Sequence, residues 1–201
     1  MDQLRKRFSG FLGVVIRRQN KDFNIFGFLK HTITKMNIES YTTELIGEAE
    51  FKFFSEGRNG RFEMRIRFEP IGENLFNLAF GLLADDFKTI DDSTELRNGD
   101  MNLILGTVAS KAIEFLNVHP SVSIYATGLI LPGKLAVRTR KYQIGINKNL
   151  SYLSERHNIY GFRTIDDANP GLAGGWPYGR SGVWEVFKPN TNYDAFLLNL
   201  K

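Results

Sequence analysis

Residues 98–145, NGDMNLILGTVASKAIEFLNVHPSVSIYATGLILPGKLAVRTRKYQIG, decide the fold. From Met101 the apolar positions Met101, Leu105, Val108, Ala109, Ala112, Ile113 and Leu116 follow one stripe of a 3.6-residue helix, the stripe that packs on a sheet. Asn98-Gly99-Asp100 supplies its start, since a short acceptor can bond the free N–H groups of the first turn and a carboxylate suits the positive dipole end. Pro120 marks the stop. Ser121–Thr127 then alternates small polar with apolar or β-branched residues, which predicts a strand ended by Gly128. A helix between two strands implies a parallel crossover. Thr127 and Gly128 then stand at the carboxyl end of a parallel strand, where ligand crevices form in such sheets.

The next helix is predicted over about Leu135 to Ile144, and it breaks a local rule. Cations suit helix C-termini, yet Arg138 falls in its first turn with Arg140 and Lys141 following, at a cost of roughly 0.3–1 kcal/mol per exposed charge. Leu135–Gly145 holds no Asp or Glu to offset them. Either acids from elsewhere, such as Asp85-Asp86 or Asp91-Asp92, supply the counter-charge, or a ligand anion does. On the second reading Arg138, Arg140 and Lys141 bind the anion while Tyr142, Thr127 and Gly128 line the site.

Outward from this stretch, Glu50–Phe53 and Arg61–Glu69 alternate around a loop, Ser55–Gly60, that ends in Asn59-Gly60, which reads as a hairpin stopped by Pro70. Phe62, Met64, Ile66 and Phe68 share one face; Arg61, Glu63, Arg65, Arg67 and Glu69 share the other, and their mixed signs point to cross-strand pairing. Leu75–Leu83 is apolar on both faces apart from Asn77, as a covered central strand would be. Leu150–Glu155 suggests a turn or two of helix, Asn158–Ile165 a strand, Val183–Phe187 an edge strand, and Tyr193–Leu200 a closing strand or docked tail. Residues 166–182 carry Pro170, Gly171, Gly174, Gly175, Pro177, Gly179 and Gly182, too many breakers for regular structure, and read as a flexible loop. The expected fold is therefore α+β. It has a single mixed sheet, an antiparallel three-strand meander followed by helix, parallel strand, helix and strand.

At 201 residues, 42% apolar and 13% aromatic, the chain can bury one ordinary core. No cysteine means no disulfide framework, no thiolate nucleophile and no Cys-ligated zinc, which fits a cytoplasmic protein. The net charge of +4 is local in origin. Residues 1–35 hold 8 of the 26 basic residues and 2 of the 22 acids, leaving 18 basic and 20 acidic residues, a net −2, for the rest. Nucleic acid stays among the candidate partners, but the bulk charge does not argue for it. The basic first 35 residues, with an apolar run Phe8–Ile16 too short to span a bilayer, read three ways. They are a loosely held or spurious extension before a start at Met36, which is the favoured reading, a membrane-surface or partner-binding segment, or a signal peptide, which Arg17-Arg18 argues against. The folded domain is expected over 36–201.

Chemical motifs are sparse. His31, His119 and His157 stand apart with no G-x-S-x-G elbow. The Asp pairs lack ligand spacing, and no metal site is expected. Glu50-Phe51-Lys52 matches the tail of a nuclease pattern without its preceding Pro-Asp and reads as chance. Neither G-x-x-x-x-G-K-[ST] nor G-x-G-x-x-G occurs. The element order resembles the acetyltransferase (GNAT-like) superfamily, which uses acetyl-coenzyme A on a Gly-rich loop at the start of its central helix. That loop would be Arg97–Asp100, with one glycine where the family has two and with Asp100 bringing negative charge to the pyrophosphate position; Tyr142 would match the tyrosine that protonates the leaving thiolate.

A second resemblance covers Met36 to the C-terminus. The segments FKFFSEGRNG, FNLAF, IDDSTELRNGDMNLILGTVASKAIEF, IYATG, VRTRKYQIGI, IYGF and a closing W-x-x-F with NYDAFLL are similar to a family of short bacterial proteins known only as a domain of unknown function. That resemblance implies a small intracellular domain and no established activity. The chain differs from the family's pattern in its first 35 residues, its Thr127–Val137 connection and its Gly-rich loop. The functional expectation is a binding module for an anionic small molecule, nucleic acid or protein partner without a cofactor; the alternative is an acyltransferase-like enzyme using acetyl-coenzyme A.

Overall fold

The computed structural model describes residues 38–201 except 87, 92, 93, 95, 129–136 and 165–181. The N-terminal segment 1–35 and, of the loop 166–182 that sequence marks as flexible, residues 166–181 lie outside the described residues, while Gly182 belongs to a strand and not to the loop. The described elements run β1 (Glu44–Leu45), β2 (Glu50–Gly57), β3 (Gly60–Gly72), β4 (Leu75–Leu83), β5 (Ile90–Asp91), α1 (Met101–Val118), β6 (Ser123–Ala126), α2 (Val137–Lys148), α3 (Leu150–Arg156), β7 (His157–Thr164), β8 (Gly182–Val186) and β9 (Ala195–Leu200). All the strands join one mixed sheet in the order β1-β2-β3-β4-β6-β9-β7-β8, with β5 pairing β4, so the fold is α+β.

Alternation and turn chemistry build the first half. Arg58-Asn59 forms a two-residue hairpin closed by the Gly57–Gly60 pair, and Gly60 takes φ 116°, which a side chain would resist. In β3 Met64, Ile66 and Phe68 are buried while Arg65 and Arg67 face the polar side. There Glu50 of β2 meets both guanidinium groups, at 3.2 Å to Arg65 and 3.0 Å to Arg67, and Lys52 meets Glu44 at 2.7 Å. The mixed-sign face is thus an ion-pair ladder between neighbouring strands.

The helix α1 lies across the apolar face. Phe115 stacks on Phe68 with ring centroids 4.1 Å apart and planes within 4°, and meets Phe76 edge-on at 5.1 Å. Phe53, Ile66 and Leu116 are fully buried in this core, each worth roughly 1.5–3 kcal/mol relative to exposure. Because Cβ direction alternates along a strand, Ile124 joins this core while Tyr125 joins a second on the opposite face, with Phe162, Ala195 and Leu197. β4 is covered on both faces in the same way, Phe76 and Leu78 on one and Leu75 on the other.

The crossover is as the central stretch implies: β6 runs parallel to β4, with α1 between them in sequence. Several boundaries differ from the reading of the sequence. Ser55 is a fully buried strand residue, not part of a loop, because β2 runs on to Gly57. β3 passes through Pro70 to Gly72, and the missing N–H is absorbed by a register shift between Pro70 and Gly72. The predicted second helix begins at Val137 and passes Gly145 to end at Lys148. The buried face of α1 centres on Ile104, Val108, Ala112, Phe115 and Leu116, so the stripe is rotated from the one counted in sequence. β9 is an interior strand, antiparallel to β6 on one side and β7 on the other. Among the described residues no helix is long and apolar enough to cross a membrane.

Candidate anion-binding site

Arg-Asn-Gly occurs twice in the chain, at 58–60 in the β2–β3 hairpin and at 97–99 before α1. The fold sets these two turns against each other. The Arg58 N–H donates to the Asn98 carbonyl at 3.2 Å, and Arg58 Nε donates to the Arg97 carbonyl at 2.8 Å. Asn59 donates its N–H to Asn98 Oδ1 at 2.9 Å and its amide Nδ2 to the Leu96 carbonyl at 2.9 Å. In return Asn98 Nδ2 donates to the Gly60 carbonyl at 3.1 Å and to Ser55 Oγ at 2.9 Å. Each such bond contributes about 0.5–1.5 kcal/mol net.

Close approach requires glycine at one point, because a Cβ on Gly57 would stand 2.1 Å from the Asn98 carbonyl oxygen. The second turn also needs two left-handed residues, Arg97 at φ 50° and Gly99 at φ 90°.

Asp100 follows, at the N-cap of α1, but its carboxylate does not cap the helix. Oδ2 accepts instead from the Tyr41 hydroxyl at 2.7 Å and the Ser55 hydroxyl at 2.6 Å. Two hydroxyl donors out-compete the backbone N–H groups, a correction to the capping role expected from Asn98-Gly99-Asp100. Burial above all raises the Tyr41 phenol above its ordinary value; the Glu56 N–H works against this, and the Asp100 carboxylate adds to it. Tyr41 therefore remains a hydroxyl donor at neutral pH. Its backbone N–H donates to Thr107 Oγ1 at 2.8 Å, fixing the chain before β1 to α1.

Beside these turns is a cavity of about 410 Å³. Its floor is apolar, from Met64, Phe80, Leu82, Met101 and Ile104; Arg58, Arg97 and Lys141 reach it from the hairpin, the loop and α2, with Asp100 its one acid among the described residues. Pairing between β4 and β6 ends at Asn77–Tyr125, while β4 runs on to Leu83 and meets β5 at its end. Among the described residues no carboxylate lies within ion-pair reach of Arg58 or Lys141. Such a set of cations can accept an anion. At 4 Å and a surface-like dielectric, a unit charge gains about 4 kcal/mol from each cation before desolvation.

The residues singled out from sequence are spread over two sides of α2. Lys141 faces the cavity, and the Tyr142 ring packs 5.9 Å from that of Phe80 on the cavity floor. Arg140 turns the other way, donating to Gln143 Oε1 at 3.2 Å and to Asn192 Oδ1, which holds the turn before β9. Like Lys141, it has no carboxylate within ion-pair reach among the described residues; Asp86 spends its carboxylate on the N–H groups of Lys88 and Thr89 at 2.8 Å. Thr127 Oγ1 donates to the Asp194 carbonyl at 2.8 Å, and the Gly128 N–H donates to buried Thr139 Oγ1 at 3.0 Å, so both join β6 to its neighbours. Arg138 sits in the first turn of α2, and its side chain lies outside the described part.

Sequence reading missed Arg58, Arg97 and Asn98 as one site, although the repeated Arg-Asn-Gly was a visible signal. Residues 37–201 match a family whose description is a family of unknown function, DUF6934. No curated protein and no solved structure matches the chain.

Proposed function

The chain belongs to DUF6934, a family of unknown function, and from that premise we propose that it is a non-catalytic binding domain that holds an anionic group of a small molecule or partner. The observation that carries the reading is the convergence of Arg58, Arg97 and Lys141 on one cavity, with no carboxylate of the described residues within ion-pair reach of Arg58 or Lys141. Lys141 is assigned direct contact with the anion, and Tyr142 backs it through Phe80. Thr127, Gly128 and Arg140 hold the frame of α2, and Arg138 adds positive field at the helix start. A bacterial cytoplasm is the setting of this reading. Calorimetric titration with pyrophosphate tests it. Lys141→Ala is expected to weaken binding at least ~10-fold, as loss of a charge-assisted contact does, with the melting temperature held. Arg138→Ala with Arg140→Ala is expected to weaken it less. Equal affinity of wild type and Lys141→Ala would remove Lys141 from the site.

A second reading, an acyltransferase-like enzyme using acetyl-coenzyme A, is favoured by one specific observation. The meander is followed by α1, a β6 parallel to β4, α2 and β7, and β4 ceases to pair with β6 beyond Asn77–Tyr125, features that this reading takes as similar to the acetyltransferase (GNAT-like) superfamily. Tyr142 would be its acid. Against it, Gly99 is the one glycine of the loop Arg97–Asp100, and Asp100 lines the same cavity. Absence of heat on titrating acetyl-coenzyme A to millimolar concentration would eliminate this enzyme.

A further inference from the structure

We infer that the anion held at this crevice carries an apolar body, so that the ligand is a soluble amphipathic phosphate or carboxylate and not a bare inorganic ion. The inference rests on the anion-binding reading and concerns the part of the cavity that reading leaves unused. At about 410 Å³ the space falls within the ~300–1,000 Å³ of small-molecule sites and far exceeds what a phosphate group fills.

Charge and apolar surface are also separated within it. Arg58 and Arg97 are exposed and Lys141 is half-buried, while the apolar surface still open beneath them belongs to the half-buried Leu82, Leu96 and Met101, with Met64, Phe80 and Ile104 closed behind. A hydrated ion seated among the cations would leave that floor wet. An alkyl or aryl group on the same ion would cover it, and the flexible thioethers of Met64 and Met101 can adapt to its shape.

The β4–β5 corner forms a firm wall to the same space. A Cβ on Gly81 would stand 2.1 Å from the Asp91 carbonyl oxygen, so backbone packs against backbone there.

A bilayer is a poor source for such a ligand. The exposed large apolar side chains of the described residues, Leu45, Ile46, Val118, Ile144, Val183 and Val186, do not line the cavity. Among the described residues its mouth therefore lacks the apolar rim that would enter a membrane, and on this inference the ligand arrives from solution.

The test is calorimetry on the full chain with inorganic phosphate, hexyl phosphate and hexanol, and cosedimentation with vesicles of anionic phospholipid. Hexyl phosphate is expected to bind at least ~10-fold more tightly than inorganic phosphate, the gain from burying about two methylenes. Met101→Gln, a good helix former at a half-buried position, should lose most of that gain, weakening hexyl phosphate far more than inorganic phosphate, and Leu82→Gln provides a second floor variant. Lys141→Ala should weaken both anions. Equal affinity for the two phosphates would overturn the apolar body and leave the anion site standing. Hexanol binding as tightly as hexyl phosphate, or neither phosphate binding, would overturn both. Pelleting with vesicles would overturn the soluble source.

Discussion

Asn98→Ala removes the residue that locks the two Arg-Asn-Gly turns together. Its side chain makes three hydrogen bonds, to Ser55 Oγ at 2.9 Å, to the Gly60 carbonyl at 3.1 Å and from the Asn59 N–H at 2.9 Å, and the residue is 5% exposed. At about 1 kcal/mol net per bond the loss approaches 3 kcal/mol. Gly60 and Asn59 are exposed, so water can replace two of the partners, and Ser55 keeps its bond to Asp100. The expected cost is therefore about 2 kcal/mol, or a melting temperature lower by about 4–8 °C for a domain of this size. Urea unfolding followed by circular dichroism measures it. Asn98→Asp is the sharper variant, because it keeps the shape and the Oδ1 acceptor but turns the donating amide into a carboxylate oxygen. That oxygen would face the Gly60 carbonyl and share Ser55 with the Asp100 carboxylate. At pH 7 it should cost at least as much as alanine. A cost under about 0.5 kcal/mol for both variants would show that the turns are held by something else, and the reasoning would fail.

Gly57→Ala drives a Cβ to 2.1 Å from the Asn98 carbonyl oxygen, so the loop must shift; a loss of about 1–3 kcal/mol in urea unfolding is expected, with weaker anion binding alongside. Glu50→Ala leaves Arg65 and Arg67, 17% and 24% exposed, without their shared carboxylate and should cost about 1–2 kcal/mol, less at high salt. His157 is buried with Nε2 unpartnered, and burial pushes its imidazole below the ordinary value; Arg156 adds to this, while the bond from Nδ1 to the Leu153 carbonyl opposes it. The fold accommodates the neutral ring, so the unfolded chain binds the proton first. This contribution to stability is fully present above pH ~6.5 and is lost as pH falls below it through the folded-state value. Urea midpoints from pH 8 to 5 should therefore decline, and less steeply in His157→Phe. Arg140→Ala should lower stability by under about 1 kcal/mol through its neutral partners Gln143 and Asn192, whereas a large loss would place it in a core network.

The architecture was legible where periodicity is strong. The alternation of Phe62–Glu69 and the helical stripe of 101–116 yield the meander, α1 and the parallel β6, because burial on one face leaves its mark on every second or every third to fourth residue. What was not legible depends on contacts far apart in sequence. Nothing in Ala195–Leu200 says that it slides between β6 and β7, since its neighbours are fixed by pairing with residues 123–126 and 157–162. The excess of cations in α2 pointed to Lys141, but residues one apart on a helix diverge by about 100°, and Arg140 turns away to Asn192. The partners of Lys141 come from two turns 39 residues apart in the chain, as the bond from Asn59 to Asn98 records. Their shared Arg-Asn-Gly reads locally as turn chemistry, and only the hairpin's approach to the start of α1 makes a site of it.

The most direct measurement is backbone amide shift mapping by NMR as pyrophosphate is titrated into the full chain. Saturable shifts concentrated at Arg58, Arg97–Asp100 and Lys141, and reduced in Lys141→Ala, are the predicted result. Saturable shifts confined to Arg140, Asn192 and the Thr127–Gly128 side of α2, or none at all, would contradict it.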